Sequence, residues 1–360
     1  MLIKLIHRVM AIMTVTVVCA SAQAVDFQSR VAKIEIPGLE LKSFDIGAAM
    51  DGLYVLADRS HAAVDLVDLR TFHVLAQIGG FAGAQHEGRG GPNGVVFIDD
   101  RQVWAGDGAS KIAVIDLKSH KVIATISTGG DRRVDELAYD AKDHWVIAVN
   151  NADKPPFVTM VDVRFPYQVH ARISIPEATD GLEQPVWDPV TGLVYLAVPE
   201  LNHQPEHGGI AVLDPKSGHL IRMIPVQDCM PAGLALGPEG HALVGCSDDA
   251  IKAGFKPKSI EIAVPSGRIL HEIPNVGGSD EITFDPFTRH YVLAAVAQPG
   301  GSVIGLVDAD SGHWLGNIPS GLHAHSVASW HGMMIVPVAA GDQRCPKGCL
   351  RILRDTSLKK

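Results

Sequence analysis

Apolar and polar positions alternate with period two in short runs along most of this chain. The runs are separated by clusters of Asp, Ser, Gly and Pro. That period places alternate side chains on opposite faces of a strand, and the clusters are turn formers. Six segments share one layout: "AVDLVDLRTFHVLAQI" from 63, "IAVIDLKSHKVIATI" from 112, "VTMVDVRFPYQVHARI" from 158, "IAVLDPKSGHLIRMI" from 210, "IEIAVPSGRILHEI" from 260 and "VIGLVDADSGHWLGNI" from 303. Each predicts a strand, a polar turn and a second strand. The turn aspartates Asp68, Asp116, Asp162, Asp214 and Asp308 recur at about 46 to 52 residues, and the fifth copy lacks its Asp. Past the first residues, no stretch carries the 3.6-residue period of an amphipathic helix of useful length.

A second predicted hairpin precedes each of these, as in "ELAYDAKDHWVIAV" from 136, "PVWDPVTGLVYLAV" from 185, "GLALGPEGHALVGC" from 233 and "EITFDPFTRHYVLAA" from 281. Two hairpins per repeat make a four-stranded sheet, and four strands at this period describe one propeller blade. Complete copies start near 43, 92, 133, 182, 231 and 279, and a three-stranded copy runs from 325 to 355. The lone strand "RVAKIEIPG", residues 30 to 38, is expected to supply its fourth strand and hide two open edges. The expectation is an all-β, seven-bladed β-propeller with four-stranded blades, forming a single domain over residues 25–356.

The N-terminus reads differently. Lys4, His7 and Arg8 precede the apolar run "VMAIMTVTVVCA" and then "SAQA". That run is too short to span a bilayer, and Ala22 and Ala24 form a small-x-small cleavage pattern. Residues 1–24 are expected to be a signal peptide cut near Ala24, which sends the protein to the periplasm or outside the cell. No later run is apolar and long enough to cross a membrane. The remaining cysteines, Cys229, Cys246, Cys345 and Cys349, are even in number, as disulfides in an exported chain require. Cys229–Cys246 would close a hairpin and Cys345–Cys349 a tight turn. Zinc is the alternative, but paired CxxC spacing is absent. The chain has no CxxCH, so covalent haem is not expected. Lys plus Arg number 31 against 40 acids, which argues against a nucleic-acid partner.

The alternation of "DPVTGLVYLAV" with "IAVLDPKSGHLIRMI", and of "DPFTRHYVLAA" with "VDADSGHWLGNI", resembles the YVTN-type seven-bladed propellers over nearly the whole mature chain. The YVTN tetrapeptide itself is replaced by "VYLAV" and "YVLAA". The resemblance implies the fold and leaves function open, because the family spans binding proteins, enzymes and unassigned exported proteins.

Inner strands of a propeller line its channel, so their first residues meet at one rim. Aligned on their apolar triplets, Asn93, Asp135, Glu183, Ala232, Asp280 and His325 fall at one height, with Ser43 as the seventh. Three carboxylates, an amide and an imidazole repel unless something positive lies among them, so Asn93, Asp135, Glu183, Asp280 and His325 are candidate ligands of a divalent metal (Ca, Mg, Zn or Mn). Glu136 and Glu281 are candidate proton acceptors beside it. The arrangement is similar in kind to gluconolactonase and paraoxonase-like propellers, with no shared motif. The structural alternative is that short acids and amides, as in "PNG" at 92, bond backbone groups at the strand's start.

Further rim candidates are His86, in the Gly-rich loop 81 to 92 with Glu87 and Arg89; Arg132 and Arg133, which either bind an anion or neutralise the acids; and His323, two residues from His325. His203 and His207 read as a hairpin loop far from the axis. The chain has no GxSxG elbow. Three functions remain open: a protein binding a small molecule, metal or partner at the rim; a metal-dependent hydrolase or lyase of lactones or esters; and a scaffold subunit of a periplasmic redox enzyme.

Overall fold

The computed structural model describes residues 31–86 and 88–355. The signal-peptide reading of residues 1–24, the domain limits at 25 and 356, and Glu87 lie outside them. The described chain forms seven four-stranded antiparallel sheets. In the first six, strands follow one another in chain order from the inside outward. Their inner strands are Gly47–Met50, Val95–Phe97, Leu137–Asp140, Pro185–Trp187, Pro231–Leu236 and Ser279–Asp285, and we number the blades in that order. Blade seven runs Ala328–Trp330, Met333–Val338, Cys349–Arg354, with Ala32–Ile34 paired antiparallel outside the last of these.

Burial follows the alternation only where one face meets water. The second strands of the blades, such as Leu53–Asp58, Trp145–Asn150 and Val194–Val198, are buried almost throughout, because both sheet faces carry neighbours. The outer strands His73–Gly79 and Lys121–Ser127 alternate exposed and half-buried residues. The apolar core is divided into seven clusters, each shared by two adjacent blades. One joins blade seven to blade one through Ile335, Ala328, Tyr54 and Leu56, which closes the ring.

The recurring turn aspartates end the third strand of their blades. Backbone N–H groups two or three residues on donate to their carboxylates: Arg70 to Asp68 at 2.7 Å, Ser119 to Asp116 at 2.7 Å, Lys216 to Asp214 at 2.9 Å and Ser311 to Asp308 at 2.8 Å. In blades one to six, including blade five without its Asp, this turn ends in a left-handed residue, Phe72, His120, Tyr167, Gly218, Gly267 or Gly312, followed by a register shift in the outer ladder. This is a turn closed by a bulge, repeated blade after blade. Two disulfide-bonded pairs are present, Cys229–Cys246 and Cys345–Cys349, with Cα–Cα distances of 4.5 and 5.5 Å. No helix among the described residues is long and apolar enough to cross a membrane.

Candidate functional site

The inner strands bring their leading residues together at one mouth of the central channel, and the backbone fixes which residues share a height. The N–H groups of Asp45, Asn93, Asp135 and Glu183 donate to the equivalent carbonyls of Ala57, Gly106, Val149 and Ala197. In the other blades the ladders Leu234↔Val244, Ile282↔Leu293 and Ala328↔Ile335, the last of which sets Val327 opposite Val336, place Ala232, Asp280 and His325 at the same level. One assignment from the sequence therefore shifts. Asp45 takes the place given to Ser43, because the small residues after Ile46 blur the start of that strand. His325 keeps its place, and Ser326 stands one residue further along, level with Glu136, Gln184 and Glu281. Close approach of neighbouring inner strands is permitted by glycine: a Cβ on Gly94 would lie 2.4 Å from the Asp135 carbonyl, to which Gly94 donates at 2.8 Å.

The chain itself supplies positive charge at this mouth. Arg59 bridges Asp45 and Asn93: its Nη2 donates to the Asp45 carboxylate, and its Nε reaches the Asn93 Oδ1 at 3.0 Å. The Asn93 amide donates in turn to the Val134 and Gly90 carbonyls at 2.8 and 3.1 Å. Arg133 donates to Asp135 at 2.8 Å and to the Asn151 Oδ1 at 3.3 Å, while the Asn151 amide also donates to Asp135. His325 stacks flat on Phe44 at 5.1 Å, with its Nδ1 2.9 Å from the His323 carbonyl and its Nε2 3.4 Å from the Asp45 Oδ1. Burial alone would discharge this imidazole. The hydrogen bond to Asp45 and the charge of Asp280 outweigh it, and the His325 pKa is pushed up to about 9. Burial likewise works against Asp45, yet Arg59 and then His325 hold its carboxyl far below the usual range.

The other acids shift the opposite way. Burial, followed by the neighbouring acids, raises Glu136 and Glu183 well above the normal carboxylate range. Burial pushes Asp280 up to about 6 against the pull of His325. Glu281 rises to about 8 through burial, although the Ser326 hydroxyl donates to it at 2.7 Å. Glu136 and Glu281 stand one residue further along their strands than the rim acids, at the head of a channel cavity of about 200 Å³ walled by Leu137, Pro185 and Ile282. Burial thus favours the protonated form of both side chains. Gln184, at the same level, joins three blades: its Nε2 donates to the Ile282 carbonyl at 3.0 Å, and its Oε1 accepts from Leu234 N–H and Ile282 N–H at 2.6 and 3.1 Å.

The residues present do not fit a metal ion in this arrangement. The Asn93 oxygen is taken by Arg59, and an Asp135 oxygen accepts from Arg133 and Asn151. Among the described residues, no three His, Cys, Asp or Glu side chains are grouped to hold a metal. No chemical step is derived through one.

Beside the mouth, blades three and four border an open groove of about 980 Å³. Its walls include Arg133, Asn151, Lys154, Asp180, Glu183 and His203. Arg132 lines it as well. His203 thus belongs to the groove despite its position in a hairpin loop, and His207 begins the third strand of blade four. His86 is exposed in the loop before blade two, and His323 is exposed at the mouth, where its carbonyl orients His325. Sequence reasoning missed Asp45, Arg59 and Asn151. A signal for two of them exists: Arg59 and Asn151 directly follow the second strands Leu53–Asp58 and Trp145–Asn150, the ends that lie beside the inner strands' starts.

No protein-family model matches this chain, and no curated protein matches it. Among solved structures, a chain in the crystal structure of the mitotic checkpoint complex is similar to it with a TM-score of 0.68 and 12% sequence identity, covering 97% of this chain and 98% of that one. At that identity the likeness establishes the seven-bladed propeller fold and nothing finer.

Proposed function

We propose that this chain is an exported, periplasmic propeller of the YVTN type that binds a small polar ligand at the charged mouth of its channel, entering along the groove between blades three and four. One observation carries the reading. Arg133, Asn151 and Glu183 belong both to the convergent mouth and to the wall of the groove, so a molecule in the groove reaches the buried charges directly. A concave site with a few convergent polar groups of perturbed pKa is the usual form of a ligand site. The two disulfide pairs suit an oxidising compartment, which supports export.

The test is mass spectrometry of small molecules released on denaturing the protein purified from the periplasm, compared with an Ala152→Trp variant that fills the groove. Release of a stoichiometric compound by the unmodified protein and not by the variant is expected. Equal release from both, or none from either, would overturn the reading. A metal ion as the released species would instead revive the hydrolase reading.

A further inference from the structure

The groove between blades three and four is walled by opposite charges that do not meet. Arg133, Lys154, Asp180 and Glu183 all line it, and no ion pair joins either base to either acid. The side chains of Lys154, Asp180 and Glu183 make no hydrogen bond or ion pair among the described residues, and Lys154 and Asp180 are exposed. Arg133 is only partly used. Its Nε reaches the Asn151 Oδ1 at 3.3 Å and its Nη2 donates to Asp135 at 2.8 Å, while Nη1 and its two N–H groups have no acceptor among the described residues. The Arg133 side chain is 27% exposed, so water or a ligand reaches it. The Glu183 carboxyl lies against the groove wall, its Oε1 3.7 Å from the place a Cβ on Gly181 would take. Asp153, in the same wall, is a contrast. Its carboxylate accepts from the N–H of Asp131 at 2.8 Å, the N–H of Arg132 at 3.3 Å and the Asn150 amide at 3.2 Å. The chain satisfies that acid with its own donors and leaves Asp180 and Glu183 without any.

This pairing of charges narrows the ligand. An anion alone would suit Arg133 and Lys154 and be opposed by the two acids. A simple cation meets the reverse, and no three side chains among the described residues are grouped to hold a metal. A molecule carrying both a carboxylate and an ammonium answers both sides. The guanidinium fork matches the two oxygens of a carboxylate, and an ammonium offers three N–H donors to carboxyl oxygens. The remaining wall is stiff: Pro155, Pro156 and Pro176 have a fixed φ and no backbone N–H, and present a preformed apolar flank. At about 980 Å³ the groove is at the upper end of small-molecule sites, so space remains for atoms beyond the two charged groups.

We infer that the groove is a receptor for an amino-carboxylate zwitterion, an α-amino acid or a short peptide, whose carboxylate is held by Arg133 and Lys154 and whose ammonium is held by Asp180 and Glu183. This rests on the reading that the groove and mouth bind a ligand, and it names the ligand's class. Asp135 and Asn151 are then positioning residues: they hold the Arg133 guanidinium from the mouth side and leave Nη1 for the ligand.

Isothermal titration of the purified protein at pH 7, with each of the common L-amino acids and with trialanine, tests the inference. Saturable binding of at least one of them is expected, and the tighter arm tells a free amino acid from a peptide. n-Butylammonium and sodium butyrate, which carry one charge each, should bind about tenfold or more weakly, as loss of a charge-assisted hydrogen bond implies. Lys154→Ala and Asp180→Asn, at exposed positions where substitution spares the fold, should each weaken the zwitterion about three- to tenfold. The inference is overturned if no amino acid and no trialanine binds, if either single-charge compound binds as tightly as the zwitterion, or if both variants leave its affinity unchanged. If no zwitterion binds while the protein still yields a compound that Ala152→Trp abolishes, the ligand class falls and the binding function stands.

Discussion

Asp214 and Asp280 are the same residue type at strand ends on two different blades of the ring, and their carboxyls move in opposite directions. Asp214 closes an outer hairpin. Slight burial works against it, but the Ser217 side chain and the Lys216 N–H lower its pKa. Asp280 opens an inner strand at the channel mouth, where burial raises its carboxyl to about 6 and no hydrogen bond compensates. The first kind recurs from blade to blade, with Asp116 and Asp162 lowered chiefly by Ser119 and Arg164. The second kind varies around the ring: Asp45, Asn93, Asp135, Glu183, Ala232, Asp280 and His325 share one height. A polar residue repeated with its partner close in sequence serves the turn. Polar residues that vary between blades while converging in space serve the one place where the blades meet.

The largest effect should come from removing a cation at the mouth. Arg59→Ala leaves Asp45 desolvated without its guanidinium, and loss of about 3–4 kcal/mol is expected in urea unfolding, in line with breaking other buried ion pairs. A loss below about 1 kcal/mol would show the mouth to be wet and its charges screened.

Blade five lacks both kinds of acid, with Ala232 at the mouth and Ala263 at the turn, and there the Cys229–Cys246 disulfide ties the start of the inner strand to the end of the second. Replacing both cysteines with serine should cost about 3 kcal/mol, as expected for a loop of this size. No change in stability would mean that blade five is held by packing alone.

The pH dependence separates the two sets of acids further. A group whose folded pKa is raised contributes stability below its unfolded pKa and loses it as pH rises through the folded value. Glu281 therefore loses its contribution between about pH 4.5 and 8, Asp280 between about 3.8 and 6, and His325 between about 6.5 and 9. Melting temperature should fall across this whole range, and Glu281→Gln should flatten the fall below pH 8. A profile that rises from pH 5 to 8 would refute the protonated state assigned to these carboxyls. The turn aspartates, being lowered, act only at the acid end, where stability is lost as pH drops below about 4.

Smaller still, Asp214→Ala should cost about 1 kcal/mol through the lost turn hydrogen bonds and leave ligand binding unchanged. Glu183→Gln should be close to neutral for stability at pH 7, because it removes a carboxyl whose charged form burial and the neighbouring acids already disfavour. A large loss from Glu183→Gln would show that Glu183 is ionised and paired.

Much of the ring was legible from the sequence. The five turn aspartates fall where the third strands end, and all seven inner strands begin close to the predicted repeat starts. These features depend on residues near one another in the chain, where the alternation and the turn chemistry are written directly. The mouth was legible only in part. Asn93, Asp135, Glu183, Asp280 and His325 do share one level. Asp45 lies two positions on from Ser43, the residue expected there, since small neighbours obscured the strand start. Arg59 escaped notice because its partner Asn93 lies 34 residues away on the next blade.

By itself the chain determined that its strands would form four at a time and how each hairpin would turn, because backbone pairing and turn conformation are governed by adjacent side chains. Tertiary structure alone decided which acids receive a cation and which are left facing the channel. That allocation depends on distances across the axis between blades, and a residue's charge state there follows from what surrounds it in space.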